Sequence, residues 1–317
     1  IPTRSRSSRP AAAERSRWRG IAAPCPLVSL PVAQVALKLP ANVPGDFFVD
    51  SSCIDCDACR IFAPSVFRDD GGQSAVYHQP ATAEELLAAQ RALISCPTAS
   101  IGSAKHDMRA AVASLPELVA GDVYRCGYTS ESSFGAIAYY LGDAKILVDS
   151  PRFAMPLVKN IEALGGVRTM LLTHQDDVAD HAKFHERFGC ERVLHRDDVR
   201  SRTAAVERQP IGLDPVQLAP DIVMIPTPGH TKGHAVFLYR DTYLFTGDPL
   251  AWSERRGHLY AFRGACWYSW TEQIASMKRL LDYDFEWVLP GHGRPVQLRR
   301  GSARAELERC IDWMTVH

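Results

Sequence analysis

The sequence has no uninterrupted run of 18 apolar residues, and its most apolar early stretch, 21–43, is broken by Pro24, Pro26, Pro31 and Pro40, so no membrane-spanning helix is expected. It also lacks net charge, with 36 basic and 36 acidic side chains among 317 residues. That balance hides an asymmetry. Residues 1–45 hold seven basic residues and one acid, which leaves 29 basic against 35 acidic residues, a net of −6, for the rest. An acidic body gives no electrostatic reason to expect nucleic acid as a partner. No glycine-rich nucleotide loop, Gly-x-Ser-x-Gly elbow or repeat of solenoid period is present, which removes the enzyme and scaffold classes that depend on them. What remains, with 46% hydrophobic and 23% charged residues, is the composition of a soluble globular protein with room for two domains.

Residues 1–44 are rich in Arg, Ser and Ala, nearly free of acids and punctuated by proline. Such a segment has no periodic face to pack, and reads either as an organelle transit peptide or as a disordered basic arm. Four of the nine cysteines form a pattern: Cys53, Cys56 and Cys59 at three-residue spacing, then Cys96 followed at once by Pro97. An odd total with this clustering argues for a metal or cluster site rather than a disulfide framework. Three thiolates from one tight loop, closed by a distant fourth, are how iron–sulfur clusters are held. Zinc is the competing occupant, although four-cysteine zinc sites usually join two separate pairs. Cys25, Cys126, Cys190, Cys266 and Cys310 are scattered singly and read as small buried side chains.

Around those cysteines the residues 46–50 and 74–78 read as short strands, and 84–94 has helical spacing. The segment 45–105, with Cys-Ile-Asp-Cys-Asp-Ala-Cys at 53–59 and Cys-Pro-Thr-Ala-Ser-Ile at 96–101, resembles a single-cluster bacterial-type ferredoxin. The resemblance implies one [4Fe–4S] cluster bound by Cys53, Cys56, Cys59 and Cys96, because the second cysteine triplet of two-cluster relatives is missing.

After a linker at 106–117 the pattern changes, and 118–317 interleaves apolar strands with amphipathic helices. Strands are expected at 134–141, 145–148, 169–172, 221–225, 236–239, 243–245 and 287–289, and helices at 156–164 and 272–281. Histidines and acids cluster at the strand ends: Thr173-His174, Thr227-Pro-Gly-His230, Thr246-Gly-Asp248 and Gly291-His292-Gly293. Strand ends along one edge converge, and glycines beside the ligands let the chain turn sharply. Pro-Gly-His-Thr-Lys-Gly-His at 228–234, Phe-Thr-Gly-Asp at 245–248 and Pro-Gly-His-Gly at 290–293 resemble the metallo-β-lactamase fold. The expected fold class is therefore α/β: an αββα sandwich preceded by a small α+β ferredoxin-like domain. Asp149 matches an acid that supports a metal-bound histidine from behind. His234 reads the same way, whereas His185, His195, His258, Tyr260 and Trp267 read as surface or packing residues.

One loop departs from the family pattern His-x-His-x-Asp-His. Here residues 174–181 read His-Gln-Asp-Asp-Val-Ala-Asp-His, two residues longer and with one histidine fewer. Aligned from both ends, the resemblance implies one metal at His174, His230 and Asp248, with Asp176 where the second histidine stood. It implies another at Asp180, His181 and His292, with Asp248 bridging, Asp180 also orienting the attacking water, and Asp177 capping the following helix. Two histidines plus carboxylate suit Fe(II) as well as Zn(II), so one or two divalent ions of either kind are expected. A second possibility is that the altered loop no longer holds two metals.

The pairing of modules, including the 176–181 loop, resembles the ferredoxin and metallo-β-lactamase fusions of plants and algae, whose leader implies the plastid stroma, that is, the chloroplast. The fold implies hydrolysis of a small ester or thioester by a metal-bound hydroxide, with a small-molecule substrate. Two alternatives stand beside it: an iron-dependent, persulfide dioxygenase-like oxidoreductase fed by the cluster and an electron-donor or acceptor protein, or a non-catalytic electron carrier or assembly factor.

Overall fold

The computed structural model describes residues 33–104 and 107–316. Residues 1–32, which carry most of the leader reading together with Cys25, lie outside the described residues.

The first part of the described chain is built from short pieces: β1 (Phe48–Val49), α1 (Ala58–Phe62), β2 (Phe67–Asp69), β3 (Ser74–Val76), α2 (Ala83–Ser95) and β4 (Ile101–Gly102). α2 starts where Thr82 accepts from the Glu85 amide and Glu85 accepts from the Thr82 amide, which satisfies two of the orphan donors of its first turn. It ends at Cys96, so the helix delivers that thiol at its C-terminus. β1 pairs antiparallel with β4, placing Val49 opposite Ile101, and β2 with β3 forms a hairpin. These pairings close the segment on itself and bring the loop 53–59 to Cys96. The stretch expected as linker carries helix α3 (Arg109–Ala113).

Two six-stranded sheets follow. The first is made by β5 (Glu117–Ala120), β6 (Val123–Arg125), β7 (Tyr139–Leu141), β8 (Ile146–Val148), β9 (Thr169–Leu171) and β10 (Glu191–Val193), in the order 10-9-8-7-6-5. Helix α4 (Met155–Ala163), with Pro156 in its first turn, links β8 to β9, and α5 (His181–Phe188) links β9 to β10; both connections join parallel strands. The second holds β11 (Val216–Ala219), β12 (Ile222–Pro226), β13 (Ala235–Tyr239), β14 (Tyr243–Gly247), β17 (Trp287–Pro290) and β18 (Val296–Gln297), in the order 11-12-13-14-17-18. The hairpin β15 (Ala251–Ser253) and β16 (His258–Tyr260) and helices α6 (Trp270–Arg279) and α7 (Ala303–Val316) complete the chain.

The central strands of the second sheet, β12, β13, β14 and β17, are buried on both faces, which is why they read as continuous apolar runs. Alternate residues serve different cores. Ala235, Phe237 and Tyr239 of β13 face the core shared with the first sheet, whereas Val236 and Leu238 face the core built by Met277 of α6 and Leu307, Ile311 and Met314 of α7. Tyr139 and Phe245 meet across the sandwich with ring centroids 5.4 Å apart. Phe237→Ala empties one such position, and a loss of about 3–5 kcal/mol of stability is expected by denaturant unfolding.

One expected strand is shorter than its pattern. β7 starts only at Tyr139, because residues 131–133 form a 3-10 turn and Phe134 and Gly135 take φ of +47° and +84°. Ala136, Ile137 and Ala138 are buried where the chain turns back against the cysteine loop, and periodicity cannot distinguish that burial from a strand.

Candidate metal centre

β12, β14 and β17 run in the same direction, so residues just after their ends reach one edge of the second sheet, where the residue following β9 of the first sheet meets them. These are His174, His230, Asp248 and His292. Asp198 ties two of the corners together: its buried carboxylate accepts from the Gln175 amide at 3.0 Å, the Gly233 amide at 2.7 Å and the Thr231 hydroxyl. Gly247, at φ +55°, has no room for a side chain, since a methyl there would stand 2.7 Å from His234 Nε2.

The imidazoles are oriented from behind. Asp149 accepts from the Thr173 amide at 2.7 Å and from its hydroxyl at 2.9 Å, and that hydroxyl lies 2.9 Å from His174 Nδ1. His230 Nδ1 donates to the Ala265 carbonyl, so both rings turn a bare Nε2 toward Asp248. His174 Nε2 lies 3.7 Å from Asp248 Oδ2, and His230 Nε2 lies 3.5 Å from the same oxygen. Asp176 Oδ2 is 3.9 Å from His174 Nε2 and 3.8 Å from His230 Nε2. Two sets of three ligand atoms each lie within 4.8 Å of one another: His174, Asp176 and His230, and His174, Asp177 and Asp248. His292 turns Nδ1 to Asp248 Oδ1 at 2.7 Å and donates from Nε2 to the Phe134 carbonyl at 3.2 Å.

His174 Nε2, His230 Nε2 and both oxygens of Asp177 are buried and make no hydrogen bond. Each such group costs about 1–3 kcal/mol when left so, and here they converge. Divalent cations at the two sets, which share His174, would satisfy them, so the donors fit the metal that the fold implies.

The electrostatics point the same way. Burial, followed by the neighbouring Asp248, pushes the Asp177 carboxyl well above the usual range, and burial pushes His174 down to about 3. Burial opposes ionisation of Asp248, but His292, His174 and His230 outweigh it and hold that carboxyl far below its ordinary value. Burial likewise opposes protonation of His292, yet Asp248 beside it raises the imidazole to about 10. Without metal, His292 is therefore protonated at pH 7. Stability from that proton is fully present below about 6.5 and lost as pH rises through about 10; Asp149, raised to about 7 chiefly by burial, costs stability as pH rises from the usual carboxylate range to about 7, largely before that window opens. The thermal midpoint of metal-free protein is expected to fall between pH 6.5 and 10. Metal uptake at pH 7 through His292 Nδ1 is expected to release at least one proton per chain, measured by titration calorimetry in buffers of different ionisation enthalpy.

The structure does not bring Asp180 and His181 to this cluster, which corrects the assignment of both as metal ligands and of Asp180 as catalytic. Asp180 accepts from the Phe153 amide at 2.8 Å and pairs with Lys183 at 2.8 Å. His181 is engaged by the Arg202 carbonyl at 3.2 Å and by Arg192 at 3.1 Å, and that guanidinium depresses its protonation further than burial alone. Nor does Asp177 cap the helix: it turns inward and takes the place expected for Asp180. The acid pair next to His174 is the signal that could have found it, since only the placement of the two extra residues decided against it. His234 lies 5.3 Å from His174 between ring centroids, buried, with Nδ1 2.9 Å from the Thr227 hydroxyl. Trp267, expected at the surface or in packing, stands exposed at the cleft mouth with its ring 6.3 Å from that of His230.

Cys53, Cys56, Cys59 and Cys96 line one small cavity. The Ser74 amide donates to Cys53 Sγ at 3.4 Å and the Ser100 amide to Cys96 Sγ at 3.3 Å, as donors around a thiolate-held cluster would. Burial pushes the Cys56 thiol up to about 12 and Cys59 higher still, so their thiolates need a metal's charge, and the four residues fit the cluster. Cys126, Cys190 and Cys310 are buried singly, and Cys266 is partly exposed. One cleft of about 1030 Å³ runs from His230, Asp248 and His292 to Asp55, Cys56 and Arg60 of the cysteine segment.

Residues 49–103 match the family described as the 4Fe-4S single cluster domain of Ferredoxin I. A hydroxyacylglutathione hydrolase of Acidiphilium cryptum (strain JF-5) is 34% identical over 116 residues, which cover 34% of this chain and 46% of that protein. The match thus spans about half of the curated relative's length. Among solved structures, DIM-1 metallo-beta-lactamase exposed to ceftazidime superposes with a TM-score of 0.50 at 17% identity, over 63% of this chain and 95% of that one. ETHE1 from Myxococcus xanthus gives 0.43 at 20% identity, over 61% and 89%. The chain joins a single-cluster ferredoxin domain to a metallo-β-lactamase fold.

Proposed function

We propose that the chain is an iron–sulfur-containing metallohydrolase that opens a small ester or thioester, with a catalytic module at 118–317 behind a cluster module at 45–105. The observation that carries this reading is that the unpartnered His230 Nε2 and Asp177 carboxylate line one cleft, with the equally unpartnered His174 Nε2 buried behind it 3.7 Å from Asp248 Oδ2. His174, His230, Asp176, Asp177, Asp248 and His292 would hold one or two divalent ions. When bound, such an ion lowers the pKa of water to near neutrality and polarises the carbonyl to be attacked. The chain's own groups do the rest. Thr173 and the Ala265 carbonyl keep the two Nε2 lone pairs free, Asp248 spans the imidazoles, and the half-exposed Asp176 carboxylate stands at the mouth where an entering acyl group passes. Phe134 and Trp267, both exposed at the rim, offer apolar surface to that group.

The name of the curated relative makes a hydroxyacyl thioester of glutathione the first substrate to try. Turnover of such thioesters, with simple esters and lactones for comparison, is expected without oxygen or reductant and is expected to vanish on chelation. Activity that appears only with oxygen or electron flow supports instead the iron-dependent oxidoreductase, a reading favoured by Cys56 reaching the same cleft. The composition of 1–44 supports an organelle presequence, and the resemblance to plant and algal fusions makes the plastid the location that a fluorescent fusion of that segment tests.

A further inference from the structure

A pure hydrolase needs no cluster, so the contacts between the cysteine loop and the histidine site are where its purpose would show. One segment, 129–137, touches both. On the cluster side Thr129 donates from its amide at 3.3 Å and its hydroxyl at 2.6 Å to the carbonyl of Ser95, the residue before Cys96. Gly135 crosses directly over a cluster ligand: a methyl there would stand 2.6 Å from Cys56 Cβ, 2.7 Å from its Sγ and 3.4 Å from Pro97. Only glycine allows this approach, and its φ of +84° is a conformation other residues resist. On the other side, the Phe134 carbonyl accepts from His292 Nε2 at 3.2 Å, Ser133 Oγ donates to the Asp176 carbonyl at 3.1 Å, and the Ile137 amide donates to the Gly291 carbonyl at 2.8 Å. Consecutive residues therefore meet a cluster thiol and the imidazole that pairs with Asp248. Cys56 lines both the cluster cavity and the hydrolytic cleft.

We propose that segment 129–137 is a coupling element through which the state of the cluster sets the divalent-metal affinity of the histidine–carboxylate site, with Gly135 on Cys56 as the input and the Phe134 carbonyl on His292 as the output. The inference rests on the metal-binding reading above and adds a regulator to it. Phe134 and Gly135 act as positioning residues: the carbonyl holds the ring nitrogen that faces away from the metal, and displacing such a partner typically costs 10- to 100-fold in affinity. Reduction or loss of the cluster changes charge and packing at Cys56, and the close contact at Gly135 leaves the segment no slack to absorb it. Coupling of this kind is reciprocal.

The test uses the full chain purified without oxygen, with Zn(II) as probe and a chromophoric chelator as competitor. Zn(II) affinity is expected to differ by roughly fivefold or more between oxidised and reduced cluster, and saturating Zn(II) is expected to shift the cluster's midpoint by about 40 mV, the same factor at 59 mV per decade. Gly135→Ala is expected to reduce both differences to less than about twofold. Because that variant risks poor cluster assembly, Ser133→Ala, which touches Asp176 but no cysteine, is expected to weaken the coupling while leaving the paramagnetic resonance of the reduced cluster unchanged. Equal Zn(II) affinity in both states overturns the proposal, as does a difference that persists undiminished in both variants, which would assign it to charge acting through space. Failure of Zn(II) to bind in either state overturns the metal-binding reading itself.

Discussion

Asp248→Ala is expected to strip the divalent metal from the chain while leaving the cluster's visible spectrum in place, and to lower turnover by more than the roughly 100-fold that a change behind the ligands costs. Its oxygens lie within 3.7 Å of two imidazole nitrogens and 2.7 Å from a third, so it is the one group shared by every corner of the site. The metal-free variant should also be less stable. Removing one partner of a buried ion pair costs about 3–5 kcal/mol, and the lower part of that range applies because the His292 side chain keeps about a fifth of its surface exposed. Thermal unfolding with and without Zn(II) separates the two effects: wild type should gain stability from the ion, and the variant should not.

The second large effect distinguishes the two acids of the altered loop. Asp177→Asn removes a carboxylate whose two oxygens have no partner but the site, and should lower metal affinity by about 10- to 100-fold or more. It should also make metal-free protein more stable at high pH, since a carboxyl held well above its usual range penalises folding once it ionises. Asp180→Asn and His181→Ala should leave metal content unchanged, because these side chains serve Phe153, Lys183, Arg192 and the Arg202 carbonyl. The opposite ranking, with His181→Ala losing metal and Asp177→Asn keeping it, would restore the register that matches the loop from its right end.

Much of the fold is written locally. Strands such as 235–239 sit between two cores and are apolar at nearly every position, and Thr82 with Glu85 marks the start of a helix by chemistry that needs no tertiary information. The corners at His174, His230, Asp248 and His292 are legible for the same reason, each being a short motif beside a strand end. The register inside 174–181 is not, because a two-residue insertion leaves the same residues available to two alignments and only backbone direction decides which acid turns inward. Gly135 to Ala138 show the limit of periodicity: a stretch buried where the chain turns back against the cysteine loop looks the same as the start of a strand. The cleft shared by Cys56 and His230 joins residues far apart in sequence and in separate motifs, so nothing in either motif announces it.

The most direct measurement is metal content and spectroscopy on one anaerobically purified sample of wild type and His230→Ala. The account predicts visible absorption from one cluster with its four irons in both proteins, plus one or two further divalent ions in wild type that are missing from the variant. Four irons and nothing more in wild type, or extra metal retained without His230, would contradict it.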